Sequence, residues 1–149
     1  MNWICRRLTL PFLFFVYLSL PANSQDNSNL VVIANGKAIP AEMKIEQLKS
    51  VMRGEKLRWP DGSKVVIALL KSNTPIGVVT SKKIYNMSPN DLNKYWLALV
   101  FQGKAAAPNF FNSESDLEEF VSQTSGAIGI VTQASANNKV IAIDGKKSL

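Results

Sequence analysis

Four short apolar runs rich in β-branched residues most constrain this chain: LVVIA (Leu30–Ala34), KVVIALL (Lys64–Leu70), AIGIV (Ala127–Val131) and KVIAI (Lys139–Ile143). Runs of this length and composition read as strands, the first two as buried ones. Helical spacing fills the intervals. Ile45, Leu48, Val51 and Met52 share one face, with Arg53 in the last turn and Gly54 closing the helix. Ser88, Pro89 and Asp91 form a capped start, and Leu92, Tyr95, Trp96, Leu99 and Val100 give an apolar face that ends at Gly103. Ser113 and Asp116 open another helix, with Leu117, Phe120 and Val121 facing inward. Thr74-Pro75 marks a further start, cap then first-turn proline, although Gly77 and the valines after it leave a strand as the competing assignment. The order β, α, β, α, α, α, β, β predicts an α/β layer fold with a small mixed sheet flanked by helices.

Not all 149 residues are expected in that fold. MNWICRRLTLPFLFFVYLSLPANS has two arginines, an apolar stretch from Leu8 to Leu20, and small residues at Ala22 and Ser24. This is the layout of a secretory signal peptide, residues 1–24, cleaved after Ser24. The domain is then 25–149, periplasmic or secreted, with no stable membrane insertion after cleavage. Without Arg6 and Arg7 the 17 basic residues fall to 15 against 11 acidic ones, net +4. They are scattered with no aromatic interleaving, so nucleic acid is not the expected partner. Cys5 is the only cysteine and lies in the leader, so the domain carries no disulfide, and no cysteine at the cleavage site offers a lipid anchor. There is no histidine, which removes Ser-His and Cys-His pairs and the commonest transition-metal ligand. No paired carboxylates or nucleophile with a base appear. The expectation is a binding protein, not an enzyme, with no catalytic residue, metal site or cofactor.

Several residues admit two readings. Gly126 and Gly129 in TSGAIGIV weaken helix and strand alike, so backbone geometry or close approach is expected to require them. In the architectural reading Gly126 ends the acidic helix in a left-handed conformation; in the other, Ser125 and neighbouring N–H groups face a ligand cleft. Trp59 precedes a Pro60-Asp61-Gly62 turn and is read as core or rim packing before an interface anchor. Phe110 and Phe111 fall in a connector, KAAAPNFFN, where one ring is expected to plug the core and two exposed rings would mark a contact patch. Glu114, Asp116, Glu118 and Glu119 suit the helix dipole better than calcium.

Taken together, LVVIANGKAIP, the GEKLRWPDG turn, DLNKYWLALVFQGK, SGAIGIV and KVIAIDGKKS resemble, in this order, the phosphate-type substrate-binding proteins of bacterial ABC transporters, within the periplasmic binding protein superfamily. The resemblance covers nearly all of 25–149 and one lobe, the second, of a two-lobed fold, implying a reduced single-lobe form. It implies a phosphate or similar oxyanion ligand. Where the family places Ser-Gly-Thr at a helix start, this chain has Ser72-Asn73-Thr74, followed by Pro75. Ser72, Asn73, Thr74 and Ser125 are thus the candidate anion-binding residues, with Ser72 and Thr74 the main donors; Asn73 stands where the family has glycine, and Pro75 removes an N–H. The alternative function is a ligand-free interaction module that docks a protein partner or forms a homodimer. A large dry patch beside the cleft would favour it.

Overall fold

The computed structural model describes residues 29–149, so the expected leader lies outside the described residues. The chain runs β1 (Val31–Asn35), β2 (Glu42–Met43), α1 (Ile45–Met52), β3 (Val66–Leu70), α2 (Pro75–Lys83), α3 (Pro89–Phe101), β4 (Asn109–Phe111), α4 (Glu114–Gln123), β5 (Ala127–Val131) and β6 (Lys139–Ile143). The strands form one mixed sheet in the order β2-β6-β1-β5-β3-β4. β1 is antiparallel to β5 and β6, whereas β3 runs parallel to both β5 and β4. This is the α/β architecture expected from the order of elements.

The central strands are apolar along their whole length because helices cover both faces. On one face Ile67, Leu69, Ile128 and Ile130 meet Leu48 and Met52 of α1, Val79 of α2, and Leu92 and Trp96 of α3. On the other, Ala68, Leu70, Ala127 and Val131 meet Leu117 and Val121 of α4. Inside the first core the Tyr85 hydroxyl donates to the Met52 carbonyl at 2.7 Å. Burial holds that phenol well above its ordinary pKa, so it stays a neutral donor. Segment 75–83 is a helix, settling the helix–strand ambiguity: Thr74 caps it and Pro75 presets its first turn, which outweighs the weak propensity of Gly77 and the valines.

Two short strands lie outside the four apolar runs. Met43 of β2 pairs with Ile143 of β6, and Asn109–Phe111 pairs in parallel with Ala68–Leu70. Phe110-Phe111 is therefore an edge strand, not a connector. Phe111 packs on Phe120 with ring centroids 5.1 Å apart, while Phe110 stays exposed. Val100 is also exposed, contrary to the apolar face read from spacing; α3 buries only Leu92 and Trp96, with Tyr95 and Leu99 packed beside them. The C-terminal segment is tied down: Leu149 packs on the core and its N–H donates to the Leu30 carbonyl at 2.8 Å.

Gly126 joins three strands at one end of the sheet. Its N–H donates to the Asn35 carbonyl of β1 at 2.6 Å. Its carbonyl accepts from Val66 N–H of β3 at 3.0 Å and from the Trp59 indole N–H at 2.9 Å. Trp59 is 3 % exposed, in keeping with the packing reading. Gly126 adopts φ +81°, and a Cβ there would stand 2.2 Å from the Lys64 carbonyl oxygen. Gly129 meets a close approach from two sides: a Cβ there would lie 2.7 Å from Leu117 Cδ2 and 3.4 Å from the Ala68 carbonyl oxygen, so its bare Cα lets α4 press onto the sheet beside β3. The Asp61 carboxylate accepts from Ser63 Oγ at 2.6 Å and Ser63 N at 2.9 Å, which closes the turn after Trp59 and lowers the Asp61 pKa.

Gly126→Ala should lose about 2–4 kcal/mol in urea unfolding, because positive φ and overlap with backbone act together. Trp59→Phe should lose only about 1–2 kcal/mol, since the carbonyl keeps its Val66 partner. A smaller loss in Gly126→Ala than in Trp59→Phe would contradict this account. Because the folded Asp61 pKa is depressed, its contribution is present above the unfolded value and fades as pH falls through the folded one. Asp61→Asn should flatten that part of the acid limb, and an unchanged limb would refute the assignment.

Candidate functional site

Sheet topology picks out one crevice. β3 leads into α2 and α3 on one face, and β4 leads into α4 on the other. Their carboxyl ends lie side by side, and Lys71 N–H donates to the Phe111 carbonyl at 2.9 Å. Adjacent parallel strands whose connections depart to opposite faces leave a gap beyond their carboxyl ends, the usual ligand position in open α/β sheets. The chain leaves β3 through Ser72-Asn73-Thr74 and β4 through Asn112-Ser113, and the capped N-termini of α2 and α4 follow directly.

The donors differ in availability. Thr74 Oγ1 donates to the Lys71 carbonyl at 2.8 Å and accepts from Gly77 N–H at 3.0 Å. Its proton is thus spent on its own turn, and Thr74 shapes the loop more than it offers a hydrogen bond. Gly77 is part of the same device, because a Cβ there would lie 2.1 Å from the Lys71 carbonyl oxygen. Val78 N–H bonds to the Thr74 carbonyl, and Pro75 has no N–H. The first turn of α2 keeps the Ile76 N–H as the donor outside these bonds. Ser72 Oγ accepts from Asn93 Nδ2 at 3.1 Å, and its own contact to Asn93 Oδ1 is long, 3.4 Å. Its hydroxyl proton is therefore weakly held, and Asn93 fixes the oxygen in place. Asn73 is exposed at the tip.

Ser125 is not brought together with these residues. Val66 of β3 is in register with Ala127 of β5, so Ser125 lies at the amino end of the parallel strands, roughly 15 Å or more from Ser72 at ~3.3 Å per residue. It borders a shallow polar depression with Asn35, Lys37, Asp61, Ser122 and Lys139. The polar groups of this hollow serve the fold: Lys139 Nζ donates to the Ile39 carbonyl, Asn35 Nδ2 to the Ser122 carbonyl, and Asp61 is tied to Ser63.

Two contributors escaped the sequence reading. Asn93 carried no signal, being one polar residue on a helix. The cap at Ser113 was visible, but its place beside Ser72 depends on β4, whose three residues are too few to show a strand pattern. The acidic residues of α4 also do more than balance its dipole. The Glu114 carboxylate accepts from Thr132 N–H and Oγ1, and Glu118 Oε1 accepts from Ser135 N–H, so both tie the loop after β5 to the helix.

Thr74→Ala should cost about 1 kcal/mol by loss of the cap, and Thr74→Ser should restore most of it. Equal losses in urea unfolding would show that the hydroxyl does not hold this turn.

No protein-family model matches the sequence, and no curated protein matches it. Solved structures do match. PstS from Borrelia burgdorferi aligns with a TM-score of 0.59 at 14% identity, over 79% of this chain and 48% of its own. An ABC-type phosphate transport receptor from Vibrio cholerae gives 0.51 and 14%, over 78% and 46%. A phosphate ABC transporter substrate-binding protein with bound phosphate from Clostridium perfringens gives 0.60 and 11%, over 80% and 46%. At these identities the likeness is one of fold. The chain spans about half the length of the proteins it matches, and it has the fold of a single lobe of a phosphate-transporter-type solute-binding protein.

Proposed function

We propose that this chain is an exported, non-enzymatic solute-binding lobe that holds phosphate or a similar oxyanion in the crevice between Ser72–Thr74 and Asn112–Ser113. The carrying observation is the coincidence of the topological gap with two helix N-termini and the weakly held Ser72 proton. Helix N-termini favour anions through unpaired N–H groups and partial positive charge; α2 has no acidic residue in its first turn, whereas α4 has Glu114 and Asp116 there, so α2 is the main contributor. The phosphate-transport names of the structures sharing this fold support the same ligand class. Export, to the periplasm or beyond it, rests on the leader-like layout of residues 1–24. Among the described residues, no helix is long and apolar enough to cross a membrane.

Affinity should be low. The lobe offers few uncommitted donors, and we expect a Kd near ~1 mM, about −4 kcal/mol. Thermal unfolding of the protein as recovered from the cell, titrated with phosphate and with sulfate and chloride as controls, tests the reading. At phosphate 100-fold above Kd the gain is about 2.7 kcal/mol, a shift of several degrees. Ser72→Ala should abolish the phosphate-selective part while leaving the unliganded Tm nearly unchanged. No shift, an equal shift with every salt including chloride, or one that survives in Ser72→Ala would overturn it, since phosphate and sulfate also stabilise proteins without a site.

A further inference from the structure

β4 ends the sheet, paired on one side with β3 and open on the other. Beside it α3 carries a second apolar stripe, pointing away from the core: Leu97 is 62% exposed, Val100 42% and Phe101 87%, and Phe110 of β4 adds a ring at 39%. Leu97, Val100, Trp96, Ala107 and Phe110 line an apolar groove between helix and strand, with Asn93 at its end and no charged residue among them. Single exposed apolar residues need no explanation, but four large ones along one edge form a contiguous surface.

We propose that this edge is the contact between two copies of the chain. A two-fold contact requires a patch complementary to itself. An uncharged strip beside an open strand edge meets that condition: antiparallel pairing of β4 with its copy satisfies the open N–H and C=O groups of Asn109–Phe111. It also sets Phe110 against its counterpart and the α3 stripes against each other. The area agrees. The four exposed side chains present on the order of 400 Å² of apolar surface. A standard interface buries about 800 Å² per partner, a little over half of it apolar, or roughly 450 Å². The strip supplies that apolar core without leaving a large exposed remainder.

Lys94 and Lys104, both exposed, flank the stripe in sequence. Between two copies they repel, so association should tighten as salt rises and screens them. A different partner with an acidic rim would show the opposite dependence. The proposal does not depend on the anion crevice, although Asn93 borders both the groove and Ser72.

Sedimentation equilibrium of the protein as recovered from the cell, without phosphate, at 0.05 and 0.5 M NaCl, tests it. The expected result is a monomer–dimer equilibrium in the micromolar range, tighter at high salt. Leu97→Glu with Phe101→Glu should weaken it at least ~100-fold, with circular dichroism and Tm retained because both side chains are already outside the core. A monomer at several hundred micromolar in both salts would overturn the proposal. So would a dimer that weakens as salt rises, or one that survives the double substitution. Phosphate titration of the same double variant separates the two readings, since a lost anion site leaves the dimer intact and a lost dimer leaves the anion response.

Discussion

Three strands meet at the two peptide groups of Gly126, and the register of the sheet depends on that meeting. The glycine N–H reaches β1, its carbonyl reaches β3, and the chain continues directly into β5. Trp59 closes the junction from the side, its indole N–H on the same carbonyl. A one-residue slip of β5 would exchange the faces of Ile128 and Ile130 with those of Ala127, Gly129 and Val131. One face needs the two isoleucines to fill the space beneath α1, α2 and α3. The other needs the gap at Gly129 to admit Leu117 of α4. The junction and the two-faced core therefore specify the same register by separate means.

The candidate site follows from that arrangement at the far end of the same strands. With β3 held between β5 and β4, helices leave the sheet on opposite faces, and the gap between Ser72 and Asn112 is a product of topology before any side chain is considered. Residues near the gap then refine it. Thr74 and Gly77 draw the loop onto the Lys71 carbonyl, and Asn93 orients Ser72. The end holding Ser125 and Gly126 maintains the sheet, which answers why TSGAIGIV keeps two glycines.

Much of this was legible in the sequence, for physical reasons that also mark where legibility stopped. The four apolar runs, the caps at Ser88 and Ser113 and the faces of Leu48 and Leu92 are local signals, and each appears in the structure with boundaries moved by two residues at most. The Thr74 cap was also visible, though the exclusive use of its hydroxyl within its own loop was not. Distant pairings were beyond reach. β4 is three residues defined by β3, and Ser125 and Ser72, both candidates for one anion site, lie at opposite strand ends. Val100 was assigned to the core because helical spacing marks an apolar stripe without saying how wide a stripe the sheet can cover; α3 has two, and the sheet covers one.

The most direct test is a phosphate titration followed by amide chemical shifts in ¹⁵N-labelled protein. The account predicts saturable shifts at Ser72, Asn73, Ile76 and Asn112, with Asn35, Ser125 and Gly126 unmoved. Saturable shifts centred on Ser125 and Lys139, or none at Ser72 and Ile76, would contradict it and place the anion at the wrong end of the strands.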